Sequence, residues 1–138
     1  ERLSFFESNA EDLSLIEDSS IDLYTISFGI RNCTNREKVL KEAFRVLKKG
    51  GRFMCMEFSH VNLPVFSHIY DWYSVNIIPN LGNFIMNDKE SYQYLVESIR
   101  RFPNQEDFLL EIKNGGFGFG NYTNLSGGIV AVHSGIKI

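Results

Sequence analysis

A few polar residues stand where they could do chemistry, at or just beyond the ends of two apolar segments. These are Ser27, Arg31, Glu57 and His60. An arginine stays charged and offers several donors, so Arg31 could stabilise negative charge that develops during a reaction. A guanidinium is a poor direct base, so proton removal would need water or another side chain. The candidates for that base, which the sequence does not rank, are His60, His68, Asp71 and Tyr92.

Two predicted strands would bring these residues together. Residues 21–28 form a mostly apolar run, which is typical of a parallel strand covered on both faces. Residues 53–56 form a second apolar run that ends at Glu57. Joined by a helix, the two make a right-handed βαβ unit, and ligands bind beyond the carboxyl ends of such strands. We therefore expect residues 27–33 and 57–60 to share one working edge.

The helix between the two strands carries its own start and stop signals. Thr34 precedes Glu37 by three residues, which is the spacing of a capping box. Gly50 and Gly51 follow two lysines and predict a left-handed helix stop. One stripe of the helix is apolar and predicted to be buried, comprising Val39, Leu40, Ala43, Phe44 and Leu47.

The rest of the chain predicts an α/β fold whose sheet is mostly parallel and ends in an antiparallel hairpin. The further predicted elements are a strand over 2–8, helices over 89–101 and from Asn104 to Gly115, and strands over 117–125 and 129–138. A parallel sheet of three strands is narrow. We therefore expect one or two N-terminal βα units to be missing, so that the chain begins within a domain.

Residues 61–87 form an apolar, aromatic insertion. A helix is predicted between Pro64 and Pro79, and it is too short to cross a bilayer. Aromatic residues on nearly all its sides could simply be core. Alternatively, the insertion could be a lid over an apolar ligand or a patch that meets a membrane.

Composition gives no reason to expect a nucleic acid, a disulfide framework or a metal. The chain has 138 residues, a net charge of −3 and a pI near 5.6, which gives no reason to expect a nucleic acid. Two cysteines are too few for a disulfide framework and indicate a reduced compartment. No zinc-ligand spacing occurs among the cysteines and histidines, so we predict no metal; these residues are Cys33, Cys55, His60, His68 and His133.

Six motifs together resemble the C-terminal portion of the ubiquinone/menaquinone biosynthesis C-methyltransferases. They are ESNAEDL, TISFGIRNCT, FRVLKKGGRFMCMEFS, YDWYS, SYQYLVESIRRFP and LSGGIVAVHSGIKI. The resemblance implies a Rossmann-like class I methyltransferase fold with S-adenosylmethionine as cofactor. It also implies methylation of a ring carbon of a polyprenylated benzoquinol, or of a naphthoquinol in the menaquinone branch.

The resemblance also implies roles for individual residues. Asn9 and Ala10 would contact the adenine, Ser27 would lie near the cofactor, and Arg31 would lie near the reacting centre. The substrate-binding candidates are Tyr70, Tyr73 and Tyr92. Asn9 could instead bond to its own loop, and Arg31 could form an ion pair that braces its turn. Glu57 could be functional or could brace a loop.

Two departures from the family are visible. Lys49 stands where the family has a proline before the glycines. The Gly-rich loop and the acidic residue that would hold the rest of the cofactor are absent from this chain. Residues 1–138 are therefore expected to be a partial methyltransferase domain, inactive alone.

The resemblance also implies partners and a location. The partners are the quinol, other quinone-biosynthesis proteins, a peripheral membrane contact and a second copy in a homodimer. The location would be the matrix side of the inner mitochondrial membrane in a eukaryote, or the cytoplasm in a bacterium. The alternatives are a truncated, catalytically incompetent copy that serves binding or assembly, and a nucleotide-binding oxidoreductase on a similar sheet.

Overall fold

A computed structural model describes residues 3–61, 64–77, 80 and 89–138. The strands are β1 (Ile21–Ser27), β2 (Leu47–Phe58), β3 (Phe117–Leu125) and β4 (Val130–Lys137). The helices are α1 (Arg36–Val46), α2 (Pro64–Asn76), α3 (Lys89–Arg101) and α4 (Gln105–Asn114). Short 3-10 turns occupy Ile30–Asn32 and Ser126–Gly128.

The four strands form one mixed sheet in the order β1-β2-β4-β3. β1 and β2 are parallel, and Ser27 lies opposite Met56, so the carboxyl ends of these strands meet at one edge as expected. β4 runs antiparallel to both β2 and β3. Among the described residues only the β1–β2 pairing is parallel, so this part of the sheet is not mostly parallel.

The predicted first strand is not present. Residues 3–8 have no regular structure, and Phe5 is 88% exposed. A strand is stabilised by a neighbour that accepts and donates its backbone hydrogen bonds. No strand pairs with residues 3–8 within the described part of the chain.

Helix α1 begins and ends at different residues from those predicted. Asn35 is the N-cap, since its Oδ1 accepts from the backbone N of Lys38 at 3.0 Å, and Glu37 instead pairs with Lys41. The helix ends at Val46 because Leu47 turns to an extended conformation with its side chain fully buried. The positive φ of Gly50 (81°) therefore serves a bulge in β2, where the pairing register shifts, and does not end the helix.

The core lies between one face of the sheet and helices α1 and α4. The buried apolar cluster comprises Ile30, Val39, Leu40, Ala43, Leu47, Phe53, Cys55, Phe102, Phe108, Ile112 and Phe117. Phe44, predicted in the same stripe, is partly buried against it. On β1, Leu23 is 52% exposed, so the described residues do not cover this strand on both faces as predicted. The physical reason is that α1 and α4 pack into the same cluster on one side of the sheet.

The C-terminal half follows its predicted pattern. Asn104 caps α4 by accepting from the backbone N of Asp107 at 3.0 Å. Gly116, with a φ of 103°, follows its end. α3 has the predicted bounds. β4 lies between β2 and β3, so it is the more central strand of the hairpin, as predicted.

Candidate active site

The edge where β1 and β2 end is built around one short turn. Ile30 is fully buried and anchors the 3-10 turn Ile30–Asn32 in the core. Because the next residue is Arg31, its side chain begins at a fixed position beside the end of β2. Burial of Ile30 therefore fixes the backbone position of Arg31.

Arg31 forms a buried ion pair with Glu57. Arg31 Nη1 lies 2.8 Å from Glu57 Oε1, and the two side chains are only 10% and 1% exposed. The same Nη1 donates to the carbonyl oxygen of Phe28 at 2.6 Å. Glu57 also accepts from the backbone N of Arg31 at 3.4 Å and of Phe58 at 2.9 Å. The predicted alternative, an ion pair that braces the turn, is therefore present.

The ion pair leaves part of the guanidinium unused. Arg31 Nε is buried and has no hydrogen-bond partner among the described residues. The guanidinium carbon lies 5.4 Å from the centroid of the Phe58 ring, within cation–π range. Arg31 is thus braced, while one of its donors, Nε, is left unpaired within the described residues.

Helix α3 covers the turn and encloses a small cavity. The hydroxyl of Tyr94 donates to Asn32 Oδ1 at 3.1 Å. The cavity has a volume of about 100 Å³ and is lined by Arg31, Arg36, Tyr94, Ser98, Arg101 and Phe102. Arg31 therefore borders a cavity.

A second cavity, of about 190 Å³, lies on the other flank of α3. Its walls include Phe58, Ser59 and His60 after β2, Asp71 and Ser74 on α2, and Leu95, Val96 and Ile99 on α3. Phe58 connects the two cavities because it also lies against Arg31. The hydroxyl of Ser59 is buried and has no partner within the described chain. This cavity is mainly apolar with a few polar groups, which is typical of a site for an apolar molecule with a polar head.

The residues predicted to contact a cofactor lie at the same edge. Asn9 Oδ1 accepts from the backbone N of Glu11 at 2.9 Å, so the predicted loop-bracing bond is also present. Glu11 Oε1 in turn accepts from the backbone N of Asn35 at 2.9 Å, which ties this turn to the start of α1. Ala10 packs against the core, and Ser27 is exposed at the end of β1. Asn9 and Ala10 therefore lie beside the start of α1, and Ser27 lies at the end of β1.

The structure separates the four candidate bases. His60 and Asp71 line the 190 Å³ cavity, whereas His68 and Tyr92 line neither cavity. His60 Nε2 lies 2.8 Å from the carbonyl oxygen of Phe102. Since a carbonyl can only accept, we assign the proton of neutral His60 to Nε2, which leaves Nδ1 as the basic nitrogen.

Of the predicted substrate tyrosines, Tyr73 and Tyr92 line neither cavity. Tyr73 is 45% exposed on α2, and Tyr92 is half-buried on α3. The side chain of Tyr70 lies outside the described residues. Sequence reasoning missed Tyr94, although Tyr94, Ser98 and Arg101 share one stripe at helical spacing.

The two cysteines are not activated as nucleophiles. Burial raises the pKa of the Cys55 thiol strongly and that of the Cys33 thiol less, and the charge of Glu57 adds to both. Burial likewise raises the pKa of Tyr24 to about 12. In the part of the chain that the structure describes, no three His, Cys, Asp or Glu side chains come together as metal ligands.

Comparison with known proteins gives one family. The model of the ubiE/COQ5 methyltransferase family matches residues 1–137. The chain is 58% identical over 136 residues to the mitochondrial 2-methoxy-6-polyprenyl-1,4-benzoquinol methylase of Oryza sativa subsp. japonica, covering 99% of this chain and 46% of that protein. It is 56% identical over 136 residues to the ubiquinone/menaquinone biosynthesis C-methyltransferase UbiE of Bartonella tribocorum, covering 99% and 52%. The chain thus spans about half the length of the curated relatives it matches.

The fold has solved counterparts. A SAM-dependent methyltransferase from Thermotoga maritima matches with a TM-score of 0.67 and 20% sequence identity, covering 96% of this chain and 63% of that one. The predicted class I methyltransferase fold is therefore confirmed.

Proposed function

Because the chain belongs to the ubiE/COQ5 methyltransferase family, we propose that the complete protein methylates a ring carbon of a polyprenylated benzoquinol, or of a naphthoquinol. Residues 1–138 would be the C-terminal part of its catalytic domain. The observation that carries the proposal is the Arg31–Glu57 pair, buried at the carboxyl edge of the sheet and joined through Phe58 to an apolar cavity. The family match favours this reaction over a nucleotide-binding oxidoreductase.

S-adenosylmethionine would supply an electrophilic methyl group to this edge. The residues that would hold its adenine side are Asn9 and Ala10, beside the start of α1, and Ser27 would lie near the cofactor at the end of β1. The matching relatives are about twice as long, so the remaining contacts to the cofactor belong to the complete protein.

The chain's own residues prepare the acceptor. A quinol carbon is most nucleophilic when the ring oxygen carries negative charge, and Arg31 would stabilise that charge with its free donors. Leu95, Val96 and Ile99 would pack against the apolar part of the acceptor and exclude water. The ring carbon that gains the methyl group loses its proton. His60 or Asp71 would accept that proton, directly or through water.

The outer face of α2 supports a contact with the membrane in which such lipids dissolve. Ile69 and Trp72 are each 61% exposed and Tyr73 is 45% exposed, at one-turn spacing. Among the described residues these exposures favour a contact surface over the alternative that the three residues are core. No helix among the described residues is long and apolar enough to cross a bilayer. The outer face of α2 would then be a patch that contacts the membrane surface, and the acceptor would enter the protein beneath α2.

The plant relatives named mitochondrial support a mitochondrial location for a eukaryotic protein. The matrix side of the inner membrane, and the cytoplasm for a bacterial protein, stay predictions. Contact with other quinone-biosynthesis proteins and homodimerisation stay predictions.

The test is turnover of the full-length protein with S-adenosylmethionine and a short-chain quinol, with the methylated product measured by mass spectrometry. Arg31→Ala should lower kcat at least about 100-fold, because it removes the donor to the charged ring oxygen. Arg52→Ala is the matched control, since Arg52 is exposed near the middle of β2, away from the carboxyl edge. Full turnover by Arg31→Ala would overturn the assigned role, and no product from the unmodified enzyme would overturn the reaction.

A further inference from the structure

Glu57 is a carboxylate that the protein encloses almost completely, with 1% of its surface exposed. A buried charge is unfavourable unless its hydrogen bonds are met, and Glu57 accepts from Arg31 Nη1 and from two backbone N–H groups. Apolar residues in place of a buried ion pair are often neutral or stabilising, so stability is a weak reason for this pair.

We infer that Glu57 is a positioning residue, which holds the guanidinium of Arg31 in the one orientation that serves the quinol oxygen. The inference rests on the proposed function, because it requires that Arg31 meet the acceptor. It assigns to Glu57 no direct contact with substrate.

The geometry restrains both ends of Arg31. Glu57 Oε2 accepts from the Arg31 backbone N at 3.4 Å, and Glu57 Oε1 lies 2.8 Å from Arg31 Nη1. The carbonyl oxygen of Phe28 and the ring of Phe58 restrain the same guanidinium from two more sides. The side chain therefore cannot rotate without breaking several contacts together.

The same geometry leaves donors free. Phe28 and Glu57 both bind Nη1, whereas Nε is buried without a partner among the described residues. A donor that is fixed before the reaction stabilises charge without reorganisation. A displacement of about 1 Å from the productive position can cost on the order of 100-fold in rate.

The experiment is a double-mutant cycle in the full-length enzyme. Glu57→Gln keeps the length and one acceptor oxygen but removes the charge that holds Arg31. We expect kcat to fall on the order of 10- to 100-fold, with the quinol KM within about twofold, since the orientation of Arg31 counts most in the transition state. In an Arg31→Gln background, Glu57→Gln should change kcat by less than about twofold, because the group it positions is gone.

Three controls make the result specific. Asp22→Asn removes the carboxylate that binds Lys48 at 2.9 Å, at the start of β1 and away from the carboxyl edge, and should leave kcat unchanged. Calorimetric binding of S-adenosylhomocysteine reports the folded fraction of every variant. If Glu57→Gln does not fold, Glu57→Asp replaces it, because it keeps the charge but withdraws it by one methylene from Arg31.

Two outcomes would overturn the inference while leaving the proposed function intact. One is a kcat of Glu57→Gln, or of Glu57→Asp in its place, equal to that of the unmodified enzyme while Arg31→Gln is impaired. The other is an equal loss in both backgrounds, which is the result of a purely structural role. Full activity of Arg31→Gln would instead remove the premise and the inference with it.

Discussion

His133 is buried at the centre of β4, between the rings of Phe108 and Tyr122. Its Nε2 lies 2.9 Å from the carbonyl oxygen of Gln105, so Nε2 carries the proton of the neutral ring. Nδ1 is buried without a partner among the described residues. Burial lowers the pKa of His133, and the carbonyl of Gln105 and the charge of Glu106 oppose that shift only in part.

The lowered pKa of His133 predicts an acid-sensitive stability. Below pH 6.5 the unfolded chain binds a proton at this residue that the folded chain does not, so the free energy of unfolding should fall as the pH drops from 6.5 towards the folded pKa. The slope from one such group is at most about 1.4 kcal/mol per pH unit. Urea unfolding of the full-length protein between pH 5 and 8 measures it.

His133→Gln can still donate to the carbonyl of Gln105 but no longer titrates, so this slope should be reduced. His68→Gln is the matched control because His68 is exposed. The same slope in His133→Gln as in the unmodified protein would show that other groups cause the acid sensitivity.

Helix α1 shows what local sequence signals can and cannot predict. Its buried stripe follows from the helical period, and three of the four predicted stripe residues that lie in the helix, Val39, Leu40 and Ala43, are fully buried. The start was predicted one residue too early, at Thr34, whereas Asn35 is the cap. A tertiary contact favours Asn35 as the cap, because Glu11 accepts a hydrogen bond from the backbone N of Asn35 and so holds residue 35 at the start of α1. Such a contact between distant residues is invisible in a local pattern.

The capping assignment predicts a difference between adjacent residues. Asn35→Ala should lower the free energy of unfolding by about 1 kcal/mol, because the backbone N of Lys38 loses its acceptor. Thr34→Ala should change it by less than about 0.5 kcal/mol. Urea denaturation of the two variants measures both free energies of unfolding. A larger decrease in Thr34→Ala than in Asn35→Ala would show that Thr34 is the cap, as the sequence predicted.

At the scale of the site, the sequence predicted which edge of the sheet would matter, because strand ends follow from apolar runs that stop at polar residues. It did not predict that Glu57 and Arg31 pair, since 26 residues separate them and the pairing depends on the parallel register of β1 and β2. Nor did it predict that Tyr94 reaches the turn, since the hydrogen bond from its hydroxyl to Asn32 depends on how α3 packs.

At the scale of the whole molecule, the apolar surface is distributed unusually. α2 turns Ser74 inward, with 6% exposure, and turns Ile69 and Trp72 outward. A surface helix of a globular protein normally does the reverse. A contiguous apolar face with this pattern is typical of a contact with a membrane or a partner.

The proposed membrane contact predicts that single changes on this face weaken binding to lipid vesicles. Ile69→Ser and Trp72→Ser should each weaken partition of the full-length protein into phosphatidylcholine vesicles about tenfold, since each removes an apolar side chain worth roughly 1.5 kcal/mol or more on burial. Sedimentation with vesicles measures the partition. Leu110→Ser is the matched control, because Leu110 is 55% exposed on α4 and lies off the α2 face.

The same variants separate a membrane from a second copy of the chain as the occupant of this face. If the face meets lipid, light scattering should give the same molar mass for Ile69→Ser and for the unmodified protein, while vesicle binding falls. A dimer that dissociates in Ile69→Ser, with vesicle binding unchanged, would assign the face to the homodimer and contradict the membrane contact. Since burial of one side chain acts on either contact by a similar amount, only the paired measurement distinguishes them.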